Sequence, residues 1–357
     1  MDAERLRYFA ACNSENGFQS FYPEVFTEEL AHVYIIKGGP GTGKSSLMRR
    51  VADCAETRGY VIEEIRCSSD PSSLDGILAK NASSGDSFAV LDGTAPHVTE
   101  MTLPGARDEI LYVGDFWDAG ALSAHRGELA RFSRARKQAY ERLYRYLQAA
   151  GQCERNMTEA VLPHFDRAAC RKYLSELLSR YPTGKGFSVR RILTCSIGME
   201  GVVRFPVWQT LCDTVYAVHD HSALGYLITE EIIRQAERRQ MSLVVSRDPL
   251  MPEYADAVML PECRLGFVLF GRGETERVSA PMRRLSMRRF LTDDDLEASL
   301  RAAATAQKCR DRLMRAALET AGEIRRLHFS LEERYASAMD FDAMRARTDA
   351  WIQKILP

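Results

Sequence analysis

Val33-Tyr34-Ile35-Ile36-Lys37-Gly38-Gly39-Pro40-Gly41-Thr42-Gly43-Lys44-Ser45-Ser46-Leu47-Met48 is the stretch on which the reading of this chain turns. Residues Gly38 to Ser45 fit the pattern G-x-x-x-x-G-K-[ST] without a mismatch. The apolar run Val33-Tyr34-Ile35-Ile36 reads as a buried strand, and Ser46 onward reads as the start of a helix. That is the setting a phosphate-binding loop requires. The glycines allow backbone conformations closed to other residues, so successive N–H groups can converge on an anion. The helix N-terminus adds partial positive charge. Gly38, Gly39, Pro40, Gly41, Thr42, Gly43, Lys44, Ser45 and Ser46 are the expected nucleotide contacts. Lys44 brings a cation to the β- and γ-phosphates, and the Ser45 hydroxyl is a hard oxygen ligand for Mg²⁺.

Downstream, Phe88-Ala89-Val90-Leu91-Asp92 is an apolar run ending in a carboxylate, the form of a Walker B strand. Asp92 is expected to hold Mg²⁺ together with Ser45, and Lys44 and Asp92 are the expected catalytic pair. Gly93-Thr94-Ala95-Pro96-His97 leaves the strand at the same edge. Thr94 is a candidate sensor of the γ-phosphate. His97 is either a phosphate or water contact or a hydrogen-bonded loop histidine. No Asp-Glu pair follows the strand, so a group to orient an attacking water is sought among His97, Asp115 and Asp118.

The 357 residues suffice for about two domains, and a formal net charge of −1 gives no electrostatic case for nucleic acid or a membrane surface. The start Met1-Asp2-Ala3-Glu4-Arg5-Leu6-Arg7 is charged and lacks the apolar core of a signal peptide. No apolar run is long enough to cross a bilayer. Nine scattered cysteines, without a C-x-x-C pair, read as reduced thiols in a cytoplasmic protein.

The chain is written twice. Arg7 to Cys12 is echoed by Arg190 to Cys195, Val33-Tyr34-Ile35-Ile36 by Val215-Tyr216-Ala217-Val218, and Asp70-Pro71 by Asp248-Pro249. Phe88 to Leu91 is echoed by Phe267 to Phe270, and His164-Phe165-Asp166 by Asp340-Phe341-Asp342. Helical patterns over Leu47–Arg58 and Ile228–Arg239 correspond. In the second copy Lys44 is replaced by Tyr226, Ser45 by Leu227 and Asp92 by Phe270, and one loop glycine survives as Gly225. This half reads as a structural copy that hydrolyses nothing. His219-Asp220-His221 reads as a loop rather than a metal site, because its ligands have no partners at suitable spacing.

Strands are expected at Val33–Ile36, Tyr60–Ile65, Phe88–Leu91 and Ile110–Val113. Alternation of strands with helices implies an α/β fold with P-loop NTPase-like parallel sheets in tandem. Each half appends a helical segment. The first runs from Ser123 to Gln148. The second runs from Asp293 to about Leu327, where the run Asp293-Asp294-Asp295 suits a helix start. Shorter helices, Arg167–Arg180 and Asp342–Leu356, close the halves. The expected units are 1–118, 119–181, 187–292 and 293–357, with Tyr181 to Gly186 as linker.

With these residues in hand, the chain resembles a family of bacterial ATP-binding proteins made of two tandem P-loop NTPase units. The shared features are Arg7-Tyr8-Phe9-Ala10, the loop from Lys37 to Met48, Asp92-Gly93-Thr94-Ala95-Pro96-His97 and Gly114-Asp115-Phe116-Trp117-Asp118. The resemblance spans nearly the whole chain, and the Asp-Gly-Thr-Ala-Pro-His segment is its most distinctive part. It implies ATP binding and hydrolysis. The second unit of that family often carries its own phosphate loop, and this sequence departs from it there.

Three functions use such a loop. The first is a Mg²⁺-dependent ATPase in which the nucleotide acts as a switch. The second is a small-molecule or nucleotide kinase, for which Arg283, Arg284, Arg288 and Arg289 offer a basic lid or a solvated surface. The third is an ATP-binding scaffold without turnover. The nucleoside triphosphate is the expected partner, and ATP with Mg²⁺ the expected cofactors. The basic run from Arg126 to Arg145 reads as charge balanced by acidic helices rather than a nucleic-acid surface.

Overall fold

A computed structural model describes residues 5–220, 222–270, 282–292 and 295–356. His221 of the His-Asp-His run, Asp293 and Asp294, and the start before Arg5 lie outside the described residues. The first half runs β1 (Leu6–Phe9), β2 (Ala11–Ser14), β3 (Gly17–Ser20), α1 (Tyr22–Val25), β4 (His32–Lys37) and α2 (Lys44–Glu56). It continues through β5 (Val61–Arg66), β6 (Leu74–Lys80), β7 (Ser87–Asp92), β8 (Asp108–Tyr112), α3 (Ala119–Ala124), α4 (Arg126–Val161) and α5 (Arg167–Leu178). The second half repeats the series: β9 (Val189–Ile192), β10 (Cys195–Gly198), β11 (Gly201–Arg204), α6 (Val207–Leu211), β12 (Thr214–His219) and α7 (Tyr226–Arg238). Then follow β13 (Leu243–Arg247), β14 (Ala255–Leu260), β15 (Leu265–Phe270), β16 (Met282–Ser286), α8 (Leu296–Ala336) and α9 (Phe341–Ile355).

Two six-stranded sheets result, ordered β1-β5-β6-β7-β4-β8 and β9-β13-β14-β15-β12-β16. The orders are the same, strand for strand, so the fold is α/β and internally duplicated. The sheets are mixed, not parallel throughout as the sequence led us to expect. β6 runs antiparallel to β5 and β7, and β14 antiparallel to β13 and β15. Connection length is the cause. A parallel crossover needs on the order of a dozen residues or more, whereas residues 67–73 and 81–86 admit only tight returns.

Strand pairing also corrects the register of the repeat. Ile36 lies opposite Asp92 and Val218 opposite Leu269, so Leu269 rather than Phe270 stands in the place of Asp92. Phe9 matches Leu193, with which it exchanges reciprocal backbone hydrogen bonds of 2.8 and 3.1 Å. Arg66 pairs Leu74 as Arg247 pairs Ala255. Cys67 therefore matches Asp248, Asp75 matches Asp256, and Asp70-Pro71 does not match Asp248-Pro249.

Alternation along the strands sorts the core into layers. Val33 and Ile35 of β4 pack with Val215 and Ala217 of β12 in a core between the two sheets, beside Tyr22 and Trp208. Tyr34 and Ile36 point the other way, onto Leu47, Met48 and Val51 of α2. The long helices α4 and α8, the arms of the first and second halves, lie antiparallel, with Ala139, Leu143 and Leu147 against Ala317 and Ile324. Arg142 reaches Glu323 at 2.6 Å and Arg334 reaches Glu128 at 3.2 Å along the seam.

The closing helices exchange partners. Leu174, Leu177 and Leu178 of α5, which follows the first arm, pack on Val218 and Ile228 of the second half. Trp351, Ile352 and Leu356, from the chain's end, pack on Tyr34, Ile36 and Met48 of the first. Short backbone pairings fix both exchanges. Asp118 N–H donates to Ala338 O at 2.8 Å and Asp340 N–H to Phe116 O at 2.9 Å. In the counterpart, Asp166 N–H donates to Phe290 O at 2.8 Å and Thr292 N–H to His164 O at 2.9 Å.

Candidate functional site

The loop from Gly38 to Gly43 links the end of β4 to the start of α2. Gly41 and Gly43 take φ of +70° and +77°, a region that strains any residue with a Cβ. Close packing adds a second demand. A Cβ on Gly41 would sit 2.4 Å from the carbonyl oxygen of Glu332, near the C-terminal end of α8. The arm of the second half thus lies directly on the loop of the first. Gly39 faces the rings of Trp117 and Tyr335 in the same way.

The Lys44 Nζ donates to the carbonyl oxygens of Gly38 at 3.0 Å and Gly39 at 2.6 Å, and lies 3.5 Å from Asp92 Oδ2. Asp92 Oδ1 accepts from the Thr94 N–H at 2.9 Å and from the Thr94 hydroxyl. One carboxylate oxygen is thereby fixed by its own loop while the other faces Lys44. Ser45 Oγ accepts from the Leu74 N–H at 3.0 Å, tying the first turn of α2 to β6. Lys44, Ser45 and Asp92 all line one cavity.

These residues form the floor of a cavity of about 880 Å³. Its roof comes from the arms: Arg136, Lys137, Tyr140 and Tyr144 of α4, and His328 and Glu332 of α8. Arg136 approaches His328 Nδ1 at 3.5 Å, and the Tyr140 hydroxyl donates to Ser69 Oγ at 3.0 Å. Burial pushes the Tyr140 phenol above its ordinary range. Sequence reasoning took this face of α4 for balanced surface charge. The signal it passed over is spacing: Arg136, Tyr140 and Tyr144 recur every fourth residue and so share one helix face. Thr94 and His97 line the cavity too, whereas Asp118 caps α3 by accepting from Ala121 N–H at 2.9 Å. Asp115 and the cluster Arg283, Arg284, Arg288 and Arg289 do not line it.

One wall of the cavity holds a group of three that the sequence did not reveal. Cys67, Asp75 and His97 each offer a donor atom, and the three atoms lie within 4.8 Å of one another. His97 Nε2 lies 3.0 Å from Asp75 Oδ2. Burial, and after it the Asp75 carboxylate, push the Cys67 thiol well above its usual range.

The matching loop of the second half is built differently. Asp220 Oδ2 accepts from Gly225 N–H at 2.6 Å, and Oδ1 from Ser222 N–H at 2.8 Å. A carboxylate of the chain itself takes amides of this loop. Gly225 has an ordinary φ of −57°, and Tyr226 packs against Tyr254 with the rings tilted by 36° and their centroids 4.3 Å apart. A smaller cavity of about 400 Å³ remains there, lined by Arg204, Asp248, Asp256 and Arg310 among others. Burial raises the Asp256 carboxyl to about 6 against the pull of Arg204. No helix among the described residues is long and apolar enough to cross a membrane. No family model, curated protein or solved structure matches the chain.

Proposed function

We propose that the chain binds Mg²⁺-ATP at the Gly38–Ser45 loop and hydrolyses it, with occupancy of that one site acting as a switch on the paired arms. The observation that carries this reading is the meeting of Lys44, Ser45 and Asp92 under a cavity of about 880 Å³. That volume lies in the range of about 300–1,000 Å³ typical of small-molecule sites. Ser45 and Asp92 supply hard oxygen donors, a set that fits Mg²⁺. Bound Mg²⁺ would neutralise charge on the phosphate oxygens.

The roles we assign to the residues rest on where they stand. Lys44, now held by carbonyl oxygens of its own loop, turns its charge to the β- and γ-phosphates. The loop amides and the α2 N-terminus hold the phosphates in register. Tyr140 and Tyr144 line the same cavity and offer aromatic surface to the rest of the nucleotide, and Arg136 and Lys137 add positive charge. The Glu332 carbonyl against Gly41 sets α8 directly on the loop, which supports a switch acting on the arms.

The test is a calorimetric titration of the purified chain with ATP, GTP and their hydrolysis-resistant analogues, with phosphate release followed in the same samples. The expected result is Mg²⁺-dependent binding of ATP and slow phosphate release without an added acceptor. Lys44→Ala should abolish both while leaving the circular dichroism spectrum unchanged. If Lys44→Ala binds Mg²⁺-ATP as the unmodified chain does, the site assignment is wrong. Phosphate release that requires an acceptor would favour a kinase instead.

A further inference from the structure

We propose that Cys67, Asp75 and His97 form a binding site for a transition-metal dication of the zinc class, with a donor set different from the oxygen donors Ser45 and Asp92. The donor set is one sulfur, one nitrogen and one oxygen. Thiolate and imidazole suit zinc-class ions and are foreign to Mg²⁺. The donor atoms lie within 4.8 Å of one another. Tetrahedral bonds of about 2.0–2.3 Å separate ligand atoms by roughly 3.3–3.8 Å, so closing the site takes side-chain shifts of about 1 Å. Three protein ligands leave a fourth position open, and all three residues line the large cavity.

The ligands are held in advance. The His97 imidazole is stacked on the Tyr22 ring at 4.8 Å and met edge-on by Phe18 at 4.9 Å. Its side chain is 6 % exposed, and its Nδ1 has no hydrogen-bond partner among the described residues. Nε2, the nitrogen turned toward Asp75, is the one that would bond the metal. The segment after Cys67 is fixed by the hairpin of the other half. Ser196 Oγ donates to Ser68 O at 2.7 Å, and Met199 N–H donates to Ser69 O at 2.7 Å.

The internal repeat gives an independent argument. By strand register Cys67 and Asp75 correspond to Asp248 and Asp256. In the second half the Arg204 guanidinium pairs with Asp256 at 2.8 Å and is felt electrostatically by Asp248 as well. The first half carries Ser20 at the position of Arg204, as the two hairpins align. No Lys or Arg among the described residues forms an ion pair with Asp75. One copy meets its carboxylate with a guanidinium, and the other meets it with an imidazole nitrogen and a thiol, groups that can bond a metal cation from solution. On binding, the Cys67 thiol gives its proton to solvent and the thiolate bonds the metal.

The test is Co²⁺ and Zn²⁺ titration of the full chain after chelator treatment, without nucleotide. One equivalent of Co²⁺ should bind with a near-ultraviolet thiolate-to-metal band, and Zn²⁺ should displace it. Cys67→Ser should remove the band, and His97→Gln should weaken binding on the order of 100-fold or more, beyond what loss of an outer-shell partner costs. Lys44→Ala should bind the metal unchanged, which separates this site from the nucleotide reading. The proposal is overturned if the unmodified chain gives no band. It is equally overturned if the band survives Cys67→Ser or disappears in Cys309→Ser, a change at an exposed thiol.

Discussion

Asp92 shows how one carboxylate can serve two ends. Oδ1 is committed to Thr94, and Oδ2 lies 3.5 Å from Lys44. Asp92→Asn keeps an acceptor for the Thr94 N–H, so the loop should hold its shape. It removes the anionic charge that a metal ion would meet. We expect Mg²⁺-ATP binding to weaken by about tenfold or more, roughly 1.4 kcal/mol, with metal-free ATP binding nearly unchanged. Calorimetry with and without Mg²⁺ reads the difference, and equal losses would make Asp92 purely structural. At this scale the sequence was legible where chemistry is local. Lys44, Ser45 and the glycines fall within one short run, and the strand end places Asp92. Cys67, Asp75 and His97 come together only because β6 returns antiparallel beside β5 and β7, and that return is what the sequence reading missed. Asp75 and Gly76 interrupt the apolar pattern of β6, so no period marks it as a strand.

The elements carry their own tests. β8 lies beside β4, and its first residue, Asp108, anchors the preceding turn. Asp108 accepts from the N–H groups of Thr102 at 2.6 Å and Leu103 at 2.8 Å, and from Arg107 Nε at 2.6 Å. Burial alone would raise its carboxyl, but Arg107 and the two amides outweigh burial and hold it well below the usual range. A carboxyl lowered in the folded state stabilises the fold above its unfolded pKa of about 4, and that stability is lost as pH falls further. Asp108→Asn should therefore cost about 1.5–3 kcal/mol at pH 7, the range for hydrogen bonds to charged groups. The gap to the unmodified chain should narrow below about pH 4 in urea titrations. A gap independent of pH would assign the effect to packing. The exchange of α5 and α9 makes a second demand at this scale. Trp351 is 7 % exposed and meets Tyr34 edge-on at 5.2 Å. Trp351→Ala should cost about 3–5 kcal/mol, the range for emptying a large aromatic site. A loss below about 1 kcal/mol would show that α9 adds little to the first half. Both closing helices were legible as helices. Their docking on the opposite half was not, because an apolar face does not name the surface that covers it.

For the whole molecule the question is what a duplicated fold does with one equipped half. Internal repeats and the loss of Lys44 and Ser45 equivalents were visible in the sequence. The register of the missing counterpart of Asp92 was not, since strands rich in Phe, Val and Leu slide past one another without penalty in a sequence comparison. Pairing to β12 settles it at Leu269. The loop of the second half is closed by its own Asp220, which occupies the Gly225 and Ser222 amides. A phosphate arriving there would have to displace that carboxylate and then stand beside its charge. Tyr226 offers no cation, and Leu269 offers no ligand to Mg²⁺. Arg204 and Arg310 are near, but Asp256 and Glu154 engage them at 2.8 and 2.9 Å. We therefore expect one ATP per chain. The second half contributes through α8, whose end rests on the loop of the first, and through the hairpin that fixes the Cys67 segment. Calorimetry should give a stoichiometry near one that falls to none in Lys44→Ala. Asp220→Ala should free amides without creating a second site, because the cation and the metal ligand are still missing. Two equivalents of ATP in the unmodified chain, with one surviving Lys44→Ala, would mean that the second half binds nucleotide by a chemistry other than that of a phosphate loop.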